Sequence, residues 1–188
     1  MAQLLLFHHA QGLTAGCLSF ADDLRAAGHV VHAPDLYDGR TFGELTEGVA
    51  YAKQVGFDTI IQRGRRAADA LPSGIVYGGF SLGVLPAQML AQTRAGAKGA
   101  LLLHGCFPTS EFGCPWPEGV PLQIHTMEAD ELGDVDVARK LAETIERAEL
   151  FLYPGERHLF ADKSLPDYDE SAADLLKQRV LGFLATLA

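Results

Sequence analysis

The sequence predicts a single α/β domain over residues 1–188, built on an open, mostly parallel sheet of about six to seven strands with helices on both faces. Three observations predict it. Short apolar runs alternate with longer stretches of helical periodicity. The runs are apolar almost throughout, as strands covered on both faces must be. The chain has 188 residues, 48% of them hydrophobic and 21% charged, and shows no linker, repeat or low-complexity segment. A chain of that size buries roughly 70% of its unfolded surface in one core.

Each element has its own signal. The strand candidates are residues 3–8 (QLLLFH), 30–34 (VVHAP), 74–78 (GIVYG), 100–104 (ALLLH), 121–126 (PLQIHT) and 149–153 (ELFLY). Between them, Phe20, Leu24 and Ala27 share one helix face, with Gly28 as the stop. Residues 60–71 predict a second helix, ended by Pro72, and residues 82–95 a third, ended by Gly96. Ala138, Leu141 and Ile145 line a fourth helix; Leu176, Val180, Phe183 and Leu187 line the last. This βαβ rhythm implies right-handed crossovers. Residues 105–119 (GCFPTSEFGCPWPEG), with three prolines and the only Trp, read as a surface loop after a strand's C-terminal end, where such sheets place ligands.

Charge and cysteines narrow the function. A net charge of −9 argues against nucleic acid and anionic membrane as partners. No apolar run approaches the ~20 residues of a membrane span, and the N-terminus lacks a signal-peptide pattern. Cys17, Cys106 and Cys114 are an odd number, which suits a reducing compartment. Cytoplasmic localisation is the expectation. The spacing of Cys106 and Cys114 matches no zinc pattern. Neither a metal nor another cofactor is expected. Whether the chain is a monomer or a homodimer is left open.

Residues 79–83, Gly-Phe-Ser-Leu-Gly, match G-x-S-x-G between a strand and a helix pattern. A turn that tight needs small neighbours, which Gly79 and Gly83 provide, and it lifts Ser81 above the sheet. A plain helix start capped by Ser81 would not need both glycines. A serine hydroxyl is a weak nucleophile until a base takes its proton. In this arrangement an acid and then a histidine follow the serine in the chain. His158 sits in a loop after the last strand and is the candidate base. Asp130, just beyond the fifth strand, is the candidate acid, with Glu128 in reserve; Asp134 and Asp136 suit the next helix's N-terminus instead. His29 and His32 read as surface or packing residues and His125 as structural. Leu82 should supply one oxyanion N–H, and the loop after the first strand the other. His9, Gln11, Tyr37, His104 and Trp116 are candidates to line the pocket.

With these residues placed, the chain resembles the dienelactone hydrolase family of α/β-hydrolases over nearly its whole length. Four segments carry the likeness: FHHAQGL, APDLYDGRTF, GGFSLG and YPGERHLFAD. The resemblance implies Ser81, Asp130 and His158 as a catalytic triad and Ala10 as an oxyanion donor, aligned through Gly12. It also marks departures. The family's best-known members have cysteine where this chain has Ser81, and glutamate where it has His9. They grip the substrate carboxylate with an arginine at the position of Asp162, so an anionic dienelactone is expected to meet a carboxylate here. The function implied is cleavage of a small-molecule ester, lactone or similar acyl compound. Acyl transfer or thioester cleavage on the same triad, and a catalytically idle binding or regulatory domain, are the other readings.

Overall fold

The computed structural model describes residues 1–187. Six strands form one fully parallel sheet in the order β2-β1-β3-β4-β5-β6: β1 Gln3–Phe7, β2 Val30–His32, β3 Val76–Phe80, β4 Gly99–Leu103, β5 Leu122–Met127 and β6 Ala148–Tyr153. Side chains alternate between two cores because strand residues point to opposite faces in turn. Leu4, Leu6, Val76, Leu101 and Leu103 meet helices α1 (Ala15–Ala26) and α6 (Glu170–Thr186) on one face. Leu5, Phe7, Tyr77, Leu102 and Ile124 meet α3 (Phe57–Asp69), α4 (Val84–Thr93) and α5 (Val135–Thr144) on the other.

The expected strands are all present, with shifted ends. β3 runs two residues further than its apolar run suggests, so that Phe80 delivers the chain directly to Ser81. The helix after it opens with a 3₁₀ turn, Ser81–Gly83, before α4 proper. In α1 the expected face holds for Phe20 and Leu24, but Ala27 is an exposed cap. One helix was not foreseen: α2, Leu45–Val55. It abuts α3 through Gly56, whose φ of 90° turns the chain between them. No helix among the described residues is long and apolar enough to cross a membrane.

The strand order positions the site. β1 pairs with β2 on one side and β3 on the other. The chain therefore leaves β1 toward one face and β3 toward the opposite face. That reversal opens a crevice at the C-terminal ends of β1 and β3, where open α/β sheets bind ligands.

Helix α6, which covers the same sheet face as α1, is capped by the Asp169 side chain, which accepts the Ala172 N–H at 3.0 Å. Its Gly182 is exposed, and a Cβ there would meet nothing within 4 Å. Gly182→Ala should therefore stabilise the protein by about 0.5–1 kcal/mol, raising Tm by ~1–4 °C in a thermal melt.

Candidate active site

The corner after β3 is built on backbone contact. A Cβ on Gly79 would lie 2.1 Å from the Gly83 carbonyl oxygen, and one on Gly83 would lie 2.5 Å from that of Phe7. Only glycine allows the strand, the turn and the end of β1 to close to that distance. Ser81 holds φ at 47°, a left-handed conformation that a residue with a side chain adopts at a cost.

Two further loops meet Ser81. His158, in the loop after β6, places Nε2 2.7 Å from the Ser81 Oγ and Nδ1 2.8 Å from an Asp130 carboxylate oxygen. A carboxylate only accepts, so Nδ1 carries the proton and Nε2 is left to accept from the Ser81 hydroxyl. The other Asp130 oxygen accepts the Leu132 N–H at 2.9 Å, and both Asp130 and His158 are buried. Asp130 itself sits in a tight turn in which a Cβ on Gly133 would collide with the Thr126 hydroxyl and the Asp130 carboxylate. Glu128 and Asp136 are exposed and stand apart from this chain of hydrogen bonds.

The loop after β1 completes the floor. The Gly12 amide bonds the His9 carbonyl at 3.0 Å, and the Gln11 amide points at His9 Nδ1 at 3.2 Å. Among the described residues the Ala10 amide has no partner, and Ala10 lines the same cavity as Ser81 and Leu82. Leu82 follows Ser81 in the first turn of a helix, where N–H groups lack intrahelical acceptors. Helix α2 braces this loop: a Cβ on Gly48 would lie 2.2 Å from the Ala10 carbonyl oxygen.

The cavity over Ser81 holds about 220 Å³. Leu45, Val49 and Ala52 of α2 and Phe57 of α3 form one wall, with Cys106 and Phe107 opposite. His104, left-handed at φ 66°, also borders it; burial, then the neighbouring His158 and His9, hold its ring neutral, and neither ring nitrogen has a partner. A larger cavity, about 520 Å³, lies between β5, β6 and the end of α6. It opens toward the N-terminal ends of those strands, far from the serine, so volume alone does not locate the chemistry.

Of the five residues expected in the pocket, only His104 borders it. Tyr37 instead belongs to an aromatic cluster with His8, Phe42 and Tyr51. His8 accepts the Leu36 N–H and donates to the His9 carbonyl; burial lowers its pKa to about 4. The Tyr37 phenol is fully buried, which drives its pKa up. Gln11 turns away to the carbonyls of Phe42 and Gly43. Trp116 packs on the far side of its loop, where its indole N–H donates to Val120.

His9 and Asp162 also lie beneath the pocket rather than in it. His9 Nε2 is 2.8 Å from Asp162, both groups being buried. Asp162 also accepts from the hydroxyls of Thr14 and Ser164 and from the Ser164 amide. The expectation that a substrate would meet the Asp162 carboxylate therefore fails, because these donors use that carboxylate. Cys17 lies near the pair, and His9, Cys17 and Asp162 offer a metal-ligand set by type. The Asp162 oxygens are already bonded by the N–H and O–H donors of His9, Thr14 and Ser164, which is the bonding of a hydrogen-bond hub. Thr14, which caps α1 through the Cys17 amide, ties that helix to the same hub. Burial is the largest single influence on His9 and opposes its charge, but the hydrogen bonds and charges of Asp162 and Cys17 together outweigh it and raise its pKa to about 9; the Gln11 amide works against this, since a proton on Nδ1 would displace it. Burial also opposes charge on Asp162, yet its donors hold it down at about 2.

The carboxylate that faces the cavity is Asp134, at the mouth. It occupies the N-cap position of α5 with φ 50°, but its side chain makes no capping bond. Burial raises its pKa; His158 pulls it down and Asp130 pushes it up.

The sequence model described as the dienelactone hydrolase family matches residues 2–188. Among solved structures, a dienelactone hydrolase-like promiscuous phosphotriesterase, P91, from metagenomic libraries superposes with a TM-score of 0.73 at 19% identity, covering 100% of this chain and 87% of that one. A dienelactone hydrolase from Anabaena variabilis gives 0.72 at 16% identity, covering 99% and 86%. An esterase from Thermogutta terrifontis, caught phosphoramylated by tabun, gives 0.62 at 20% identity, covering 100% and 83%. No curated protein sequence matches.

Two outcomes check the site's construction. Gly79→Ala should cost about 3 kcal/mol or more and lower Tm by at least ~6 °C, since the added methyl overlaps backbone on an immobile turn. Asp162 has a depressed folded pKa, so its contribution is present above the unfolded value and lost as pH falls through the folded one. In urea unfolding, wild type should exceed Asp162→Asn by a margin that shrinks by about 2 kcal/mol between about pH 4 and pH 2.

Proposed function

Because the chain belongs to the dienelactone hydrolase family, we propose that it is a serine hydrolase that cleaves an ester, lactone or similar acyl bond through an acyl-enzyme intermediate. One observation carries this reading. Ser81, His158 and Asp130, from three separate loops, form a continuous hydrogen-bonded chain of 2.7 and 2.8 Å that ends at a cavity.

Each step follows from that chain. The Ser81 oxygen attacks the acyl carbonyl carbon while its proton passes to His158 Nε2. The imidazolium is steadied by Asp130, which also fixes the tautomer that leaves Nε2 free to accept. The tetrahedral oxyanion takes the amide N–H groups of Leu82 and Ala10. Collapse breaks the bond to the leaving group, which receives the proton from His158. A water then attacks the acyl-serine by the same route and releases the acid. The cavity, smaller than the roughly 300–1,000 Å³ of drug-sized ligand sites, suits a small substrate.

The test is turnover of p-nitrophenyl acetate. Ser81→Ala should lower kcat/KM by about 10³-fold or more, and Asp130→Asn by about 10³–10⁴-fold, well beyond any effect of Glu128→Gln. Equal rates for wild type and Ser81→Ala would refute the serine mechanism and leave an idle domain or another nucleophile.

A further inference from the structure

Resting on the serine-hydrolase reading, we infer that this pocket selects its substrates by charge through Asp134: it takes small acyl compounds with a cationic group in preference to neutral ones, and discriminates against anionic ones. Apart from Ser81, His158, His104, Cys106 and Asp134, the lining is apolar or glycine. Among the described residues that border the cavity there is no lysine or arginine, and Asp134 is the one carboxylate. Asp130 is committed to His158 and Leu132, and Asp162 is sealed in the hub under His9.

Asp134 is available to a ligand. It forms no ion pair among the described residues, although α5 begins directly after it. Its backbone is left-handed, and its side chain makes no bond to the helix terminus it would otherwise cap. A Cβ on Gly105, itself in the cavity wall, would lie 4.0 Å from an Asp134 carboxylate oxygen. The carboxylate therefore overlooks the space that one end of a bound ester must occupy. The mouth is otherwise flanked by Phe57 and Leu132, exposed at 46% and 56%, which offer an aromatic face and an alkyl surface but no counter-charge. A cavity bordered by both a carboxylate and an aromatic ring is a favourable setting for an alkylammonium group. The protein's net charge of −9 acts in the same direction at longer range.

The experiment compares three thioacetates of similar size: acetylthiocholine (cationic), 3,3-dimethylbutyl thioacetate (neutral) and S-acetyl-3-mercaptopropionate (anionic). The thiol released from each is followed in wild type, Asp134→Asn, Asp134→Glu and Ser81→Ala. Intrinsic reactivity cancels when the cation-to-anion ratio of kcat/KM is compared between variants. Removing one charge at contact range in a wet pocket should lower that ratio about tenfold in Asp134→Asn, while Asp134→Glu keeps most of it. Added salt should compress the wild-type ratio. Ser81-dependent turnover with a ratio the same in wild type and Asp134→Asn overturns the charge selection and leaves the serine mechanism standing. Turnover of the neutral thioester that survives Ser81→Ala, or no turnover of any of the three, overturns the serine reading and this inference with it.

Discussion

The structure depends on a steric constraint, the closure of backbone on backbone between Gly79, Gly83 and Phe7. The strand can pass directly into the helix only if no side chain separates them. That closeness forces Ser81 into a left-handed conformation and puts its hydroxyl at the end of the sheet rather than in either core. It also sets α4 so tightly against β3 and β1 that every residue from Val84 to Gln92 is buried. The same turn that exposes the serine leaves the amide of Leu82 without a helical acceptor. The position of the Ser81 hydroxyl and a free amide beside it thus share one cause.

Around that fixed point the other loops are held by polar struts. Asp162, four residues after His158, reaches back through His9 to the turn that carries Ala10, and through Thr14 to the start of α1. The loop that carries His158 and the loop that carries Ala10 are therefore joined beneath the pocket by buried hydrogen bonds. His8 pins the chain after β2 to the end of β1 in the same manner. Polar groups at strand ends have two fates here: one set faces the cavity, and a larger set satisfies loop backbone that has no sheet or helix to bond with. This is why a small fold without a large lid can keep a preformed site.

Much of this was legible in the sequence because it rests on local rules. Apolar runs gave all six strands, and the serine–acid–histidine order picked out Ser81, Asp130 and His158, which the fold brings into contact. Helix α2 was missed although Leu45, Val49 and Ala52 recur at helical spacing; Gly48 within it and the absence of a side-chain cap weakened the signal. The direction in which a loop side chain faces was not legible, because it is settled by long-range partners. Gln11 lies beside the pocket in sequence yet bonds to Phe42 and Gly43, more than thirty residues away. Asp162 loses its expected part for the same reason, and Asp134, although at the helix N-terminus as expected, also borders the cavity. The aligned carboxylate is absorbed by Thr14 and Ser164, and the one read as a helix charge is left at the cavity mouth.

Everything proposed for this protein requires that the Ser81 hydroxyl be both reachable and activated by His158. A fluorophosphonate probe followed by peptide mass spectrometry measures both at once. One covalent adduct, on Ser81, forming at least ~100-fold more slowly in His158→Ala, is the predicted result. An adduct on another residue, or labelling of Ser81 at an equal rate without His158, would contradict it.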